Sequence, residues 1–159
     1  MQQVKNIQEN KGRTAKSDDT KEDDTQCVSS SFVLVRKRPA GKGAGGNENR
    51  KGRNSVKYQI EENCLTIFLP KELDHHQTEE IRREADRQIE RNHVKYVIFD
   101  FGETSFMDSS GIGVMMGRYR KLSLTGGEVW AANLNERMKK ILKMSGAAKI
   151  IRIYEEERQ

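Results

Sequence analysis

The chain has 159 residues, 29 Lys+Arg against 24 Asp+Glu for a net charge of +5, and is 34% hydrophobic. That length suits one domain with a remainder and excludes two full enzyme domains. Its longest apolar runs, Phe32-Val33-Leu34-Val35 and Ile67-Phe68-Leu69-Pro70, fall far short of the ~20 residues of a membrane span. Two isolated cysteines, Cys27 and Cys64, make no disulfide framework, and no apolar leader follows Met1. The expected compartment is the cytoplasm.

Charge and apolar residues divide unequally along the chain. Residues 1–55 hold 12 Lys+Arg and 7 Asp+Glu, and residues 56–159 hold 17 of each, so the whole basic surplus lies in the first third. That third has only 12 hydrophobic residues: an acidic run at 17–24, the burst at 32–35, then Arg36-Lys37-Arg38-Pro39 and a Gly-rich stretch at 41–46. Such a composition does not offset an ordering entropy of ~1–2 kcal/mol per residue. Residues 1–55 therefore read as a disordered basic tail, and 56–159 as a charge-balanced domain. A nucleic-acid function would rest on Arg36-Lys37-Arg38, which lacks interleaved aromatics or a fold to aim it. The codons of Lys51-Gly52-Arg53 can form a purine-rich ribosome-binding sequence just before Val56, and a valine codon there can start translation. On that reading the tail is not made in the cell.

Within the domain, residues 57–60 and 64–69 are strand-like runs separated by Glu61-Glu62-Asn63, an antiparallel hairpin. Residues 77–92 form an amphipathic helix with Ile81, Ala85 and Ile89 on its apolar stripe, its start marked by Asp74 and by Thr78-Glu79-Glu80. The apolar run 94–101 predicts a central strand covered on both faces. Residues 110–124 carry Ile112, Met115, Met116, Tyr119 and Leu122 at helical spacing, closed by a Gly126-Gly127 turn. A strand follows at 128–132. Leu134, Met138, Ile141 and Leu142 mark a third helix ended by Ser145-Gly146, and 150–153 a last strand. The order β-β-α-β-α-β-α-β predicts an α/β fold, a mixed β-sheet with helices packed against it.

Two clusters carry possible chemistry. Asp108-Ser109-Ser110-Gly111 opens a helix, where unpaired N–H groups and the dipole favour anions. Capping, a nucleophile, a phosphate cradle and a phosphoacceptor are the candidate roles. No Gly-x-Ser-x-Gly elbow supports the nucleophile, and no Gly-Lys-Ser/Thr loop supports ATP binding. Asp74-His75-His76 admits a metal or small metal-dependent hydrolase reading, yet adjacent helical side chains diverge by about 100° and only His93 remains as a further imidazole. Capping or surface recognition fits that cluster better. The methionines suit packing, and Cys64 suits a small buried residue in mid-strand.

Glu72-Leu73-Asp74-His75-His76, Phe106-Met107-Asp108-Ser109-Ser110-Gly111-Ile112-Gly113-Val114, Gly117-Arg118-Tyr119, Gly126-Gly127-Glu128 and Met144-Ser145-Gly146 closely resemble the anti-sigma factor antagonists of the STAS domain superfamily, in particular the stage II sporulation type. The resemblance spans roughly residues 57–155. It implies a STAS domain at 56–159 whose unmodified form binds an anti-sigma factor that is also a serine kinase, with ADP or ATP held on the partner, and so frees a sporulation sigma factor. It implies phosphorylation at Ser109, reversal by a phosphoserine phosphatase, and a partner-binding surface of Asp74, His75, Asp108, Ser110, Gly111, Ile112 and Gly113. No catalytic residue, metal, cofactor or direct nucleic-acid contact is implied for the chain itself, which is then no enzyme. Two departures are the long tail and the stretch after Tyr154, where the family usually continues into another helix.

Overall fold

A computed structural model describes residues 55–155. The tail, with its basic cluster and its start-codon reading, and the last four residues lie outside the described residues. Strands β1 (Lys57–Glu61) and β2 (Cys64–Phe68) pair antiparallel through a two-residue turn. Glu62 takes the left-handed conformation there, φ 52°, as a tight turn matched to strand twist requires. The chain continues through β3 (Glu72–Leu73), α1 (His75–Asn92), β4 (Tyr96–Asp100), β5 (Phe106–Met107), α2 (Ser109–Ser123), β6 (Glu128–Ala132), α3 (Glu136–Met144), one 3-10 turn (Ala147–Lys149) and β7 (Arg152–Tyr154).

The main sheet has the order β1-β2-β4-β6-β7, with every pair after the hairpin parallel. All five residues of the central strand β4 are buried, as its continuous apolar run predicts. Strand alternation sends Leu65, Ile67, Val97, Phe99, Val129 and Ala131 into the core shared with the helices, and Cys64, Tyr96, Ile98 and Ala132 into a smaller cluster on the other face. Cys64 opens β2 rather than lying mid-strand.

The helices follow their stripes with instructive shifts. The first begins at His75, two residues before the expected start, because Asp74 caps it through Gln77 N–H at 3.0 Å. Its buried face is Ile81, Ala85 and Ile89 with Thr78 added one turn earlier. On α2 the buried stripe runs through Arg118, with Tyr119 only half-buried. The Arg118 guanidinium is buried because Asp86 of α1 pairs with it, 3.0 Å from Nε and 3.2 Å from Nη2, and Lys121 adds contacts to Asp86 and Glu90. A buried guanidinium requires such a partner. The pairing clamps α1 to α2. Gly127 is demanded by close approach, since a Cβ there would lie 2.4 Å from the Lys95 carbonyl oxygen. The last strand starts later than expected, at Arg152, because Ile150 and Ile151 close the 3-10 turn on the Ala147 carbonyl.

The element order differs from expectation by two strands. β3 and β5 pair parallel to each other in a separate two-stranded sheet, Glu72 opposite Phe106 and Leu73 opposite Met107. Two residues are too few to show a period.

Candidate functional site

The small β3–β5 sheet builds the site. Leu73 and Met107 turn into the core, 2% and 4% exposed, while Glu72 and Phe106 face outward. An aspartate with extended backbone follows each strand and caps the next helix, Asp74 before α1 and Asp108 before α2. Because the strands run in register, the two helix starts lie side by side. Asp108 N–H bonds back to the Leu73 carbonyl at 3.4 Å, tying the second start to the first. The sequence clusters Asp74-His75-His76 and Asp108-Ser109-Ser110-Gly111 are thereby brought to one edge of the molecule.

Close packing sets the height of α2 on this edge. A Cβ on Gly111 would lie 2.4 Å from Met107 Cγ and 3.0 Å from Leu73 Cδ2, so only glycine lets the first turn of α2 rest on both strands. Gly111 and Ile112, expected on a partner-facing surface, are buried. Asp74, His75, Ser109 and Gly113 are exposed, and Asp108 and Ser110 half-buried.

The two serines are not equivalent. Ser110 donates both its backbone N–H, at 2.8 Å, and its hydroxyl to Asp108 Oδ1, and its oxygen lies 3.1 Å from Thr78 Oγ1. Ser109 is exposed, and among the described residues its hydroxyl makes no hydrogen bond. The Asp108 carboxyl is held below the usual carboxylate range. The Ser110 hydroxyl is the chief cause; backbone N–H groups of Ser110 and Gly111 and the nearby His75 add to it, against a desolvation that pushes the other way. An ionised cap thus orders the turn that presents Ser109.

His75 and His76 do not converge: their ring centroids are 6.3 Å apart and tilted by 54°. Among the described residues no group of three or more His, Cys, Asp or Glu side chains gathers as a metal set would. A cleft of about 940 Å³ lies at the opposite end of α2, lined by Tyr119, Ser123, Glu128, Trp130 and Arg152. No described helix is long and apolar enough to cross a membrane. Two residues that the sequence offers only as a helix-start marker and a motif member belong to this edge. Phe106, 44% exposed, carries the Arg137 guanidinium 5.7 Å from its ring, and Thr78 is buried beneath the helix starts. The signal for Thr78 is its place three residues before Ile81 on the apolar stripe.

Residues 55–159 match the family model described as the STAS domain. An anti-sigma F factor antagonist of Paenibacillus polymyxa is 38% identical over 93 residues, 58% of this chain and 80% of the relative. The chain belongs to the STAS domain family, among its anti-sigma factor antagonists. Two solved structures resemble this STAS antagonist. The anti-sigma factor antagonist SpoIIAA in its unphosphorylated form is 32% identical with a TM-score of 0.59, covering 65% of this chain and 90% of that one. SpoIIAA in its phosphorylated form, described as a Bacillus cell fate determinant, is 33% identical with a TM-score of 0.55, covering 65% and 94%. The mixed sheet and three helices of the antagonist agree with that fold.

Proposed function

We propose that this STAS antagonist is a binding switch whose unmodified form captures an anti-sigma factor that is also a serine kinase, freeing a sporulation sigma factor. The kinase, holding ATP, transfers its γ-phosphoryl group to the Ser109 hydroxyl. ADP departs on the kinase and a kinase base takes the hydroxyl proton. A separate phosphatase restores the hydroxyl. The observation that carries this reading is the contrast between the two serines, one exposed with its hydroxyl unbonded among the described residues and the other committed to Asp108 and Thr78. Asp74 and His75 flank Ser109 on the same edge, with Gly113 one turn along α2 and Gly111 and Ile112 supporting the turn from beneath. The phosphorylated form of the relative SpoIIAA agrees with this chemistry.

Charge accounts for the switching. A phosphoserine adds about −1.5 to −2 charges at pH 7. At the N-terminus of α2 the dipole tolerates that charge, so the fold survives. In a complex the dianion must be desolvated beside Asp74 and Asp108, and a penalty of ~3 kcal/mol weakens binding more than 100-fold. The chain acts by binding, and the nucleotide and the catalytic groups belong to the partner.

The test is a mixture of the full chain with the anti-sigma factor of its own source organism. With ADP a stable complex is expected. With ATP, phosphate on Ser109 by peptide mass spectrometry and dissociation of the complex are expected. Phosphate on Ser110 in the wild-type chain overturns the assignment, and absence of both complex and transfer overturns the function.

A further inference from the structure

We infer that Thr78 is a positioning residue for this switch, its buried hydroxyl holding the Asp74-His75 start of α1 in register with the Ser109 turn of α2. The inference rests on the function proposed above. Thr78 is 2% exposed on a face otherwise made of Ile81, Ala85 and Ile89. A buried hydroxyl costs stability unless it is bonded, and this one makes two contacts that reach opposite sides of the site. Its Oγ1 lies 2.7 Å from the His75 carbonyl oxygen and 3.1 Å from Ser110 Oγ.

Counting protons defines the link. Three oxygen contacts, Thr78 to His75, Thr78 to Ser110 and Ser110 to Asp108, are served by two hydroxyl protons. The ionised Asp108 holds the Ser110 proton, because a charge-assisted bond outweighs a neutral one. Ser110 Oγ is then left as an acceptor, and the single Thr78 proton is shared between it and the His75 carbonyl. A continuous polar chain therefore runs from the Asp108 cap, through Ser110 and Thr78, to the first turn of α1. Beside it, the Asp108 N–H to Leu73 carbonyl bond joins the two starts through backbone, and His75 acts on Asp108 through charge, without a side-chain hydrogen bond of its own. Asp108 orients the inward serine, and the Thr78–Ser110 contact ties that serine to α1, which sets where the outward serine is presented relative to Asp74 and His75.

Thr78→Val keeps the shape and removes the hydroxyl, whereas Thr78→Ser keeps the hydroxyl and removes a buried methyl. Phosphate transfer to the full-length variants by the cognate kinase, the affinity of the ADP-state complex and thermal unfolding are measured together. We expect Thr78→Val to raise KM and the complex Kd by roughly fivefold to tenfold, the loss of about one net hydrogen bond of preorganisation, with kcat within about twofold of wild type. Thr78→Ser should restore KM and Kd while unfolding at a lower temperature than Thr78→Val. Ser110→Ala cuts the same link from its other end, so it should raise KM similarly, and Thr78→Val/Ser110→Ala should be no worse than either single change. Wild-type KM and Kd in Thr78→Val, or failure of Thr78→Ser to restore them, overturns the inference. If Thr78→Val does not fold, wild-type KM in Ser110→Ala does so. A wild-type chain that the kinase phosphorylates normally in those cases leaves the function standing; one that it neither binds nor phosphorylates overturns both.

Discussion

The starts of α1 and α2 are built on one plan and differ in use. Each follows a two-residue strand, each is capped by an aspartate, and the strands are hydrogen-bonded partners. Beyond the caps the residue sizes diverge. His75 and His76 are large and stay on the surface, so α1 displays two imidazoles beside the Asp74 carboxylate, with Thr78 as its inward hydroxyl. Ser109, Ser110 and Gly111 are small, so α2 sinks onto Leu73 and Met107, turns one hydroxyl inward and leaves one out. Side-chain bulk in the first turn, rather than capping, separates a start that displays large polar side chains from one that displays a single small hydroxyl.

The sharpest way to break the comparison is to place a permanent charge on the small-residue start. Phosphorylated Ser109 should lower affinity for the anti-sigma factor by more than 100-fold, ~3 kcal/mol, and Ser109→Asp, with one charge in place of nearly two, by less, while Ser109→Ala binds as the unmodified chain and no longer responds to ATP. Calorimetric titration of all three reads the effect. Next in size, Gly111→Ala should cost about 1–3 kcal/mol in urea unfolding, because its Cβ overpacks the Met107 and Leu73 contacts. His76→Ala, on the exposed side of the other start, should change stability by less than about 0.5 kcal/mol. Exchange of the caps comes third. Asp108→Ala should cost about 1–2 kcal/mol and Asp74→Ala about 1 kcal/mol, since Asp108 accepts from both a backbone N–H and a hydroxyl. Equal losses would mean that the Ser110 hydroxyl adds nothing.

The smallest expected effect is in pH. The folded Asp108 carboxyl lies below its ordinary range, so its contribution to stability is fully present above about pH 5. It declines as pH falls through the interval between the ordinary and the depressed values, and vanishes below both. The gap in melting temperature between wild type and Asp108→Asn should therefore be open at neutral pH and narrow steadily as pH falls below the ordinary aspartate range. A gap that persists unchanged in acid contradicts the ionised cap.

Much of the fold was legible because local patterns coincide with tertiary roles. The β1–β2 hairpin, the doubly covered β4, the strand at Glu128–Ala132 and the three helical stripes all follow from apolar periods read within one segment. Legibility failed where the deciding partner lies far along the chain. Arg118 is buried against Asp86 and the Arg82 carbonyl of another helix, and nothing in the α2 stripe distinguishes it from an exposed arginine. The strands β3 and β5 are two residues each and exist as strands only through their mutual bonds. Gly111 and Ile112 carry the family motif, yet the same motif does not say which of its residues face inward.

Sequence alone determined the chemistry available to this protein. It supplied an Asp-Ser-Ser-Gly turn at a helix start and an Asp-His-His cluster at another, and it carried neither a nucleotide loop nor a serine-hydrolase elbow. Tertiary structure alone decided that the two starts adjoin, that Thr78 bridges them, and that Ser109 rather than Ser110 is presented. The physical reason is that the β3–β5 pairing and the Thr78–Ser110 contact act between residues distant in the chain, whereas the Asp108 bond that occupies Ser110 is a local cap whose choice between two adjacent serines depends on the backbone geometry of the turn.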